Sequence, residues 1–263
     1  MMNESSLVFL CKFTSELTEK EWQDFILTHH EVGELTDSLT LQFENIYKNN
    51  IYGDSIHVIV YADGIPLATN AHLRNDLESG VVSYQSLHTY VSPKLRRMGI
   101  FGKMSNLCLD KSRPNYVYGF PNNNSYPGFI KLGWEVVKKG VSSLYCGFAS
   151  SVIKSLSAYD MIPDDYVRWR YSVYKDQYSV CCKGNVCLLL KAKKTKFGSL
   201  YLVVGRVSDV FLNEFKKVKP FILFSYEDGK SLYAYRKVES TVIQNTVHCN
   251  LDINIPIWRC DIL

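Results

Sequence analysis

The chain has 263 residues, 46% hydrophobic and 21% charged. This is ordinary globular composition and excludes a largely disordered protein. The net charge of +4 suits an anionic ligand without calling for nucleic acid, because the lysines and arginines are scattered apart from Lys191–Lys196.

The start of the chain has no basic region, and its apolar run, Leu7–Leu10, is shorter than the ~7–15 residues of a signal peptide core. No stretch approaches the ~18 apolar residues of a membrane span. The expectation is a cytoplasmic protein. Glu19–His29 reads as a helix, with Thr18 as N-cap and a stripe of Trp22, Phe25 and Ile26. A second helix covers Leu39–Lys48. Ser55–Ala62 is a strand, Asp63-Gly64 a hairpin turn and Ile65–Leu73 the returning strand. Val81–Val91 is a third strand, ended by Pro93. Ile100–Lys111 is a helix, with Ile100, Met104, Leu107 and Cys108 at helical spacing. Tyr116–Phe120 is a short buried strand, Pro127–Leu132 a short helix closed by Gly133, and Glu135–Phe148 is extended. A strand, a helix and a short buried strand in succession suggest a βαβ unit.

The second part begins near Ser151, after the Ser-rich stretch Ser150–Tyr159, a linker or connecting helix. Asp164–Val173 reads as helix, and Val186–Ala192, Leu200–Gly205 and Phe221–Tyr226 as strands. Val207–Lys217 reads as an amphipathic helix with Val210, Phe211 and Phe215 on one face. Ile46-Tyr47-Lys48 recurs as Val173-Tyr174-Lys175 ahead of Val186–Ala192, a hint of an internal repeat. The organisation is thus residues 1–150 followed by residues 151–263. The eight cysteines include no CxxC pair, and the cluster Cys181, Cys182 and Cys187 has no histidine nearby. Zinc needs about four convergent ligands, so no metal site is expected and the cysteines read as reduced, small hydrophobes.

Chemistry concentrates between Val91 and Gly102. A strand ends, a basic loop containing Arg96, Arg97, Met98 and Gly99 follows, and a helix begins at Ile100. A helix start carries unpaired N–H groups and the positive end of the helix dipole, which together favour phosphate. Gly99 permits close backbone approach, and the arginines add cationic donors. A plain surface turn is the alternative reading of such a loop.

The segment resembles the pyrophosphate-binding loop of the GNAT acyl-CoA N-acyltransferases, Gln/Arg-x-x-Gly-x-Gly/Ala. Arg96 and Gly99 match the first two fixed positions, and Phe101 departs at the third, with Gly102 directly after it. Phe101 must then turn into the core. Asn122 and Ser125, followed by Gly133-Trp134, resemble the family's second motif, Asn-x-x-Ala/Ser and Tyr-x-x-x-Gly-Phe. Phe129 stands where many members carry a tyrosine. The resemblance covers residues ~40–140 and is closest to bacterial members associated with surface-polysaccharide synthesis.

The resemblance implies an α+β fold: a GNAT-like mixed sheet flanked by helices, with a splayed parallel strand pair. Behind it would stand a second, degenerate GNAT-like domain, or an unrelated α+β domain. It implies acetyl-CoA, or another acyl-CoA, as cosubstrate. Thr89, Tyr90 and Val91 would pair with the pantetheine arm, the loop Arg96–Gly102 would hold the pyrophosphate, and Asn122 would also touch the cofactor. The reaction implied is attack of a primary amine on the thioester, the amine belonging to a small molecule such as an amino sugar or its nucleotide-linked form. The family's frequent glutamate is Gln85 here, which cannot act as a base. His72 and His88 are the nearest titratable candidates, although each taken alone reads first as structural or exposed, and Tyr126 is a candidate acid. The acceptor pocket is expected in a cleft walled partly by the second part, near Trp169, Tyr171, Tyr174 or Trp258. Two alternatives stay open. One is a Fem-type aminoacyl transferase, although no large basic face for RNA is seen. The other is a non-catalytic acyl-CoA-binding protein.

Overall fold

The computed structural model describes residues 7–30, 34–77, 81–146, 160–196, 198–220, 222–227 and 237–245. They fall into two compact units. The first takes residues 1–137 and returns for 242–253; the second takes 138–241 and 254–263.

In the first unit, β1 (Leu7–Phe13) runs antiparallel to β2 (Ile56–Ala62), from Leu7 opposite Ala62 to Phe13 opposite Ile56. Sequence reading missed β1. Its seven residues show no clear period, and their conformation is decided by a partner about fifty positions away. The α1 helix (Glu19–His30) starts as expected: Thr18 Oγ1 accepts from the Glu21 N–H at 3.3 Å, and the Glu21 carboxylate accepts from the Thr18 N–H at 2.7 Å. The next helix, α2 (Asp37–Phe43), continues through a π-helical turn at Glu44–Lys48. A hairpin joins β2 to β3 (Ile65–Arg74) through Asp63 and Gly64, both left-handed at φ 51° and 78°, the geometry of a type I′ turn. Next, β4 (Ser83–Val91) pairs antiparallel with β3. The chain crosses over through α3 (Ile100–Ser112) to β5 (Tyr116–Gly119), which lies parallel to β4. After β5 comes α4 (Tyr126–Lys131).

Alternation along β2 assigns the two faces of this sheet. Ile56, Val58 and Val60 pack with Ile100, Met104 and Cys108 of α3 and with Phe129 and Trp134. His57, between them, meets Trp22 and Phe25 of α1 and Tyr47.

The second unit uses most of β6 (Glu135–Cys146), then α5 (Asp164–Arg170), β7 (Tyr178–Lys183), β8 (Val186–Thr195), β9 (Gly198–Val207), β10 (Lys216–Lys217) and β11 (Ile222–Glu227). Strands β7, β8 and β9 form an antiparallel series, and β11 lies parallel to β9 and antiparallel to β6. The last strand, β12 (Lys237–Asn245), sends Ile243–Asn245 back to pair antiparallel with β5 of the first unit. Each unit therefore contains an antiparallel series, β1–β4 in the first and β7–β9 in the second, followed by a parallel neighbour with an antiparallel strand beyond it.

Three readings need correction. Val207–Lys217 is not a helix. Val207 ends β9, Asp209–Asn213 makes a 3₁₀ turn, and Lys216–Lys217 is β10. The spacing of Phe211 and Phe215 is still that of buried positions, but a short turn running into a strand buries both. Asp164–Val173 is helical only to Arg170 and then tightens to a 3₁₀ turn at Ser172–Tyr174. Cys182 and Cys187 are not reduced: they stand opposite each other on the β7–β8 hairpin and form a disulfide. Cys11, Cys108 and Cys181 are free thiols. The stretch Ser150–Tyr159, Phe148 and Trp258 lie outside the described residues.

Candidate active site

The central feature is the far end of β4. Its ladder with β5 stops at Ser86 opposite Gly119, while β4 runs on along β3 to Val91. Within that extension the register breaks: Ala71 faces Leu87, but Thr69 faces Tyr90. His88 and Thr89 make the bulge, and His88 takes a left-handed backbone at φ 49°. Bulges of this kind re-aim side chains, and they cluster beside functional sites. On one side of the bulge, Thr89 Oγ1 donates to Asn70 Oδ1 at 2.7 Å. On the other, His88 enters a group of rings described below.

From Val91 the chain turns through Pro93–Leu95 into α3. Leu95 and Ile100 are buried and pin the loop, whereas Arg96, Arg97 and Gly99 are exposed. Gly99 is the N-cap of α3 at φ 72°, so no side chain caps the first turn. The first intrahelical bond is Lys103 N–H to Gly99 O at 3.1 Å. The N–H groups of Ile100, Phe101 and Gly102 therefore open the helix at its positive end, beside two arginines. Arg96 Nε donates to Val91 O at 3.2 Å, tying the loop back to β4. Met98 packs on the core from the inner side.

Phe101 turns inward, as its departure from the motif requires. Its ring lies edge-on to Phe129 at 5.0 Å, and a Cβ added at Gly128 would come within 3.0 Å of it. The Phe129 ring packs on Trp134 at 4.6 Å and sits over Gly119, where the β4–β5 ladder ends. Asn122 and Ser125 form the turn into α4. Asn122 Oδ1 accepts from the N–H groups of Asn124 and Ser125, both at 3.0 Å, and Ser125 Oγ accepts from the Asn122 N–H. Tyr126, the first residue of α4, is half-buried.

The two candidate histidines part company. His72 is fully buried on the α3 face, where its strand neighbour across β3–β4 is Ser86. Neither of its ring nitrogens has a hydrogen-bond partner, and burial lowers its pKa to about 3. His72 is thus sealed from solvent, whereas His88 is half-buried at the bulge. His88 Nδ1 lies 2.5 Å from Tyr47 Oη, and its ring stacks on Phe43 at 4.8 Å and approaches His29 at 4.7 Å. Burial, reinforced by His30, lowers the pKa of His29 to about 4, and burial lowers that of His30. Sequence reading missed Tyr47, His29 and Phe43 as site residues. The word Ile46-Tyr47-Lys48 was visible only as a repeat. Trp169 and Tyr171, expected near an acceptor, are buried among aromatic neighbours of their own unit: Tyr166 for both and Tyr178 for Tyr171. Tyr174 ends the 3₁₀ turn after α5. Among the described residues no group of His, Cys, Asp and Glu could hold a metal ion, and no helix is long and apolar enough to cross a membrane.

No family model and no curated protein matches the chain. Solved structures match in fold. The GCN5-related N-acetyltransferase of Kribbella flavida superposes with a TM-score of 0.60 at 8% identity, over 94% of this chain and 73% of that one. A conserved protein of unknown function and probable N-acyltransferase from Enterococcus faecalis V583 gives 0.55 at 10% identity, over 92% and 73%. Eis1 from Mycobacterium abscessus gives 0.53 at 8% identity, over 90% and 73%. The fold is that of the GCN5-related N-acetyltransferases, a mixed α+β sheet flanked by helices.

Proposed function

We propose that this protein transfers an acyl group, acetyl in the simplest case, from acyl-CoA to a primary amine. One observation carries the reading: a helix whose first turn has no side-chain cap opens directly after a strand that outruns its parallel neighbour. Its first-turn N–H groups and Arg97 suit a pyrophosphate, and the bare Gly99 leaves room for one. The backbone of Thr89, Tyr90 and Val91 suits the amide-bearing pantetheine arm. Asn122, whose Oδ1 already holds the α4 cap, is the further polar contact on that side.

The chemistry follows. The amine nitrogen's lone pair forms a bond to the thioester carbon, and the C–S bond breaks with its electron pair leaving on sulfur. The proton shed by nitrogen passes to His88, half-buried at the bulge. The Val91 N–H steadies the charge that develops on the thioester oxygen. The Tyr126 hydroxyl returns a proton to the thiolate and is refilled from solvent. In this reading the amine belongs to a small molecule such as an amino sugar, free or nucleotide-linked.

The test is calorimetric titration of the folded protein with acetyl-CoA. Wild type binds, and Gly99→Asp, which adds a carboxylate where phosphate would sit, does not. Equal affinity in both overturns the reading.

A further inference from the structure

Cys181, Cys182 and Cys187 meet near the tip of the β7–β8 hairpin, and the strand ladder sorts them by face. Cys182 stands opposite Cys187, one step before Lys183 and Val186 close the ladder at the turn. Side chains alternate along a strand, so Cys181 points to the other face. There it is 3% exposed, packs with Leu188, Leu190 and Val203, and has its thiol pKa raised by burial. The bonded pair is Cys182–Cys187, and its two sulfurs belong to residues of different access. Cys182 is exposed, whereas Cys187 is 5% exposed. On the outer side of β7, β10 pairs with Ser179 and Val180, and the last backbone bond there runs from Val218 N–H to Val180 O at 2.9 Å. Among the described residues no strand flanks Cys182 on that side.

A disulfide stabilises a fold chiefly by constraining the unfolded chain, and the constraint is least for the shortest loops. This one joins residues five positions apart. The turn at the left-handed Gly184 already holds them face to face, with Cα atoms 4.2 Å apart. The bond thus adds little as a staple, while exposure of one residue leaves it open to attack. We propose that Cys182–Cys187 is a thiol–disulfide exchange site for a small monothiol, with Cys182 the residue attacked and Cys187 the one released. The incoming thiolate forms a bond to Cys182 Sγ. The Cys182–Cys187 bond breaks with its electron pair leaving on Cys187 Sγ, which takes a proton from solvent. The product is a mixed disulfide at the exposed residue and a thiol at the buried one. Cys187, as thiolate, can return to Cys182 and expel the monothiol. A second monothiol can instead attack the small-molecule sulfur, leaving two protein thiols and a small-molecule disulfide. In that second course the protein disulfide is reduced and two monothiols are oxidised, so the electrons balance with no further reagent. The hairpin favours return, because it keeps the two sulfurs opposite each other. The site lies within the second unit, and the proposal does not rest on the acyl-transfer reading.

The test uses the full chain, purified without reductant, with glutathione as probe. Native protein is treated, quenched with an alkylating agent and mapped by peptide mass. Reduced glutathione in excess is expected to open the wild-type pair without denaturant, and oxidised glutathione to close it again. In Cys187→Ser, oxidised glutathione should place one glutathione on Cys182, where it stays for want of a returning thiol. Cys182→Ser should take up at least about tenfold less at Cys187. A wild-type pair that stays intact in excess reduced glutathione overturns the proposal without any variant, as does an opened pair that oxidised glutathione fails to close. Equal uptake by the two variants overturns the assignment of Cys182 as the residue attacked. The same assignment is read in wild type alone, so it survives a variant that does not fold: once the pair is opened, Cys182 should be alkylated at least about tenfold faster than Cys187, and equal rates overturn it.

Discussion

Tyr126 is the candidate acid of the proposed reaction, and a single substitution tests it. Its place beside the second motif marked it as a hydroxyl near the chemistry, and the structure makes it the first residue of α4, directly after the Asn122–Ser125 turn. Phe129, where a tyrosine is common in the fold's relatives, is 4% exposed and locked against Phe101 and Trp134. With that ring silent, Tyr126 is the phenol left on α4. Tyr126→Phe should lower kcat about tenfold or more while leaving acetyl-CoA affinity unchanged, read by thiol release and calorimetry side by side. Equal kcat removes it from the mechanism. His88 was legible as an imidazole on β4, and its contact with Tyr47 was not. A buried tyrosine on a helix end looks like core packing until its hydroxyl is seen against a ring forty-one positions away.

At the scale of elements, what could be read was what local chemistry decides. The α1 helix announced itself through its cap and stripe, the β2–β3 hairpin through Asp63-Gly64, and α3 through a glycine-led basic loop ahead of helical spacing. Elements settled by distant partners went unread or were misread. Sequence reading missed β1 because its pairing decides it, and the segment after β9 failed in the opposite sense. Buried Phe211 and Phe215 give a helical spacing, yet the chain makes only a 3₁₀ turn there. That turn occupies the place in the second unit that α3 holds in the first, between an antiparallel series and its parallel neighbour. A turn of five residues has no extended dipole and few aligned N–H groups to offer a phosphate. Between Val207 and Ile222 the sequence holds no glycine, and among the described residues there the chain forms no α-helix. The half-match of Ile46-Tyr47-Lys48 with Val173-Tyr174-Lys175 agrees with this. Each word sits in or beside a helical turn, π in one and 3₁₀ in the other, that precedes the antiparallel series.

For the molecule as a whole, the neutral buried histidines set the response to acid. Burial lowers the pKa of His57 and of His72 to about 3, and burial with His30 lowers that of His29 to about 4. The unfolded chain binds these protons near pH 6.5, and the folded chain binds them only far below it. Between those limits the unfolded state holds more protons, so stability rises with pH. Their contribution is complete above pH 6.5, begins to be lost as pH falls through that value, and is gone at pH 3–4. Each ring costs ~1.4 kcal/mol per pH unit within its window, against a whole-domain stability of ~5–15 kcal/mol. Urea denaturation at pH 8, 7, 6 and 5 should show a constant midpoint down to pH 7 and a steep fall below 6.5. A midpoint unchanged from pH 7 to 5 would contradict the burial of these rings in solution.

The return of Ile243–Asn245 to β5 also has a consequence for how the protein is made. The fully buried strand Tyr116–Tyr118 has β4 on one side, but its other neighbour is translated more than a hundred residues later, after most of the second unit. A ribosome adding ~5–20 residues each second therefore holds the first unit with an open β5 edge for several seconds before it can close. Domains usually finish in the order they emerge; here the one that starts first must wait for the tail. An open edge is a template for pairing with another nascent chain. A chain ending at residue 241 keeps every residue of the Arg96–Gly102 loop yet should bind acetyl-CoA at least tenfold more weakly and pellet after release from an in vitro translation reaction. Adding residues 242–253 back as a separate peptide during synthesis should restore solubility. Unimpaired binding by the shortened chain would show that the tail is dispensable.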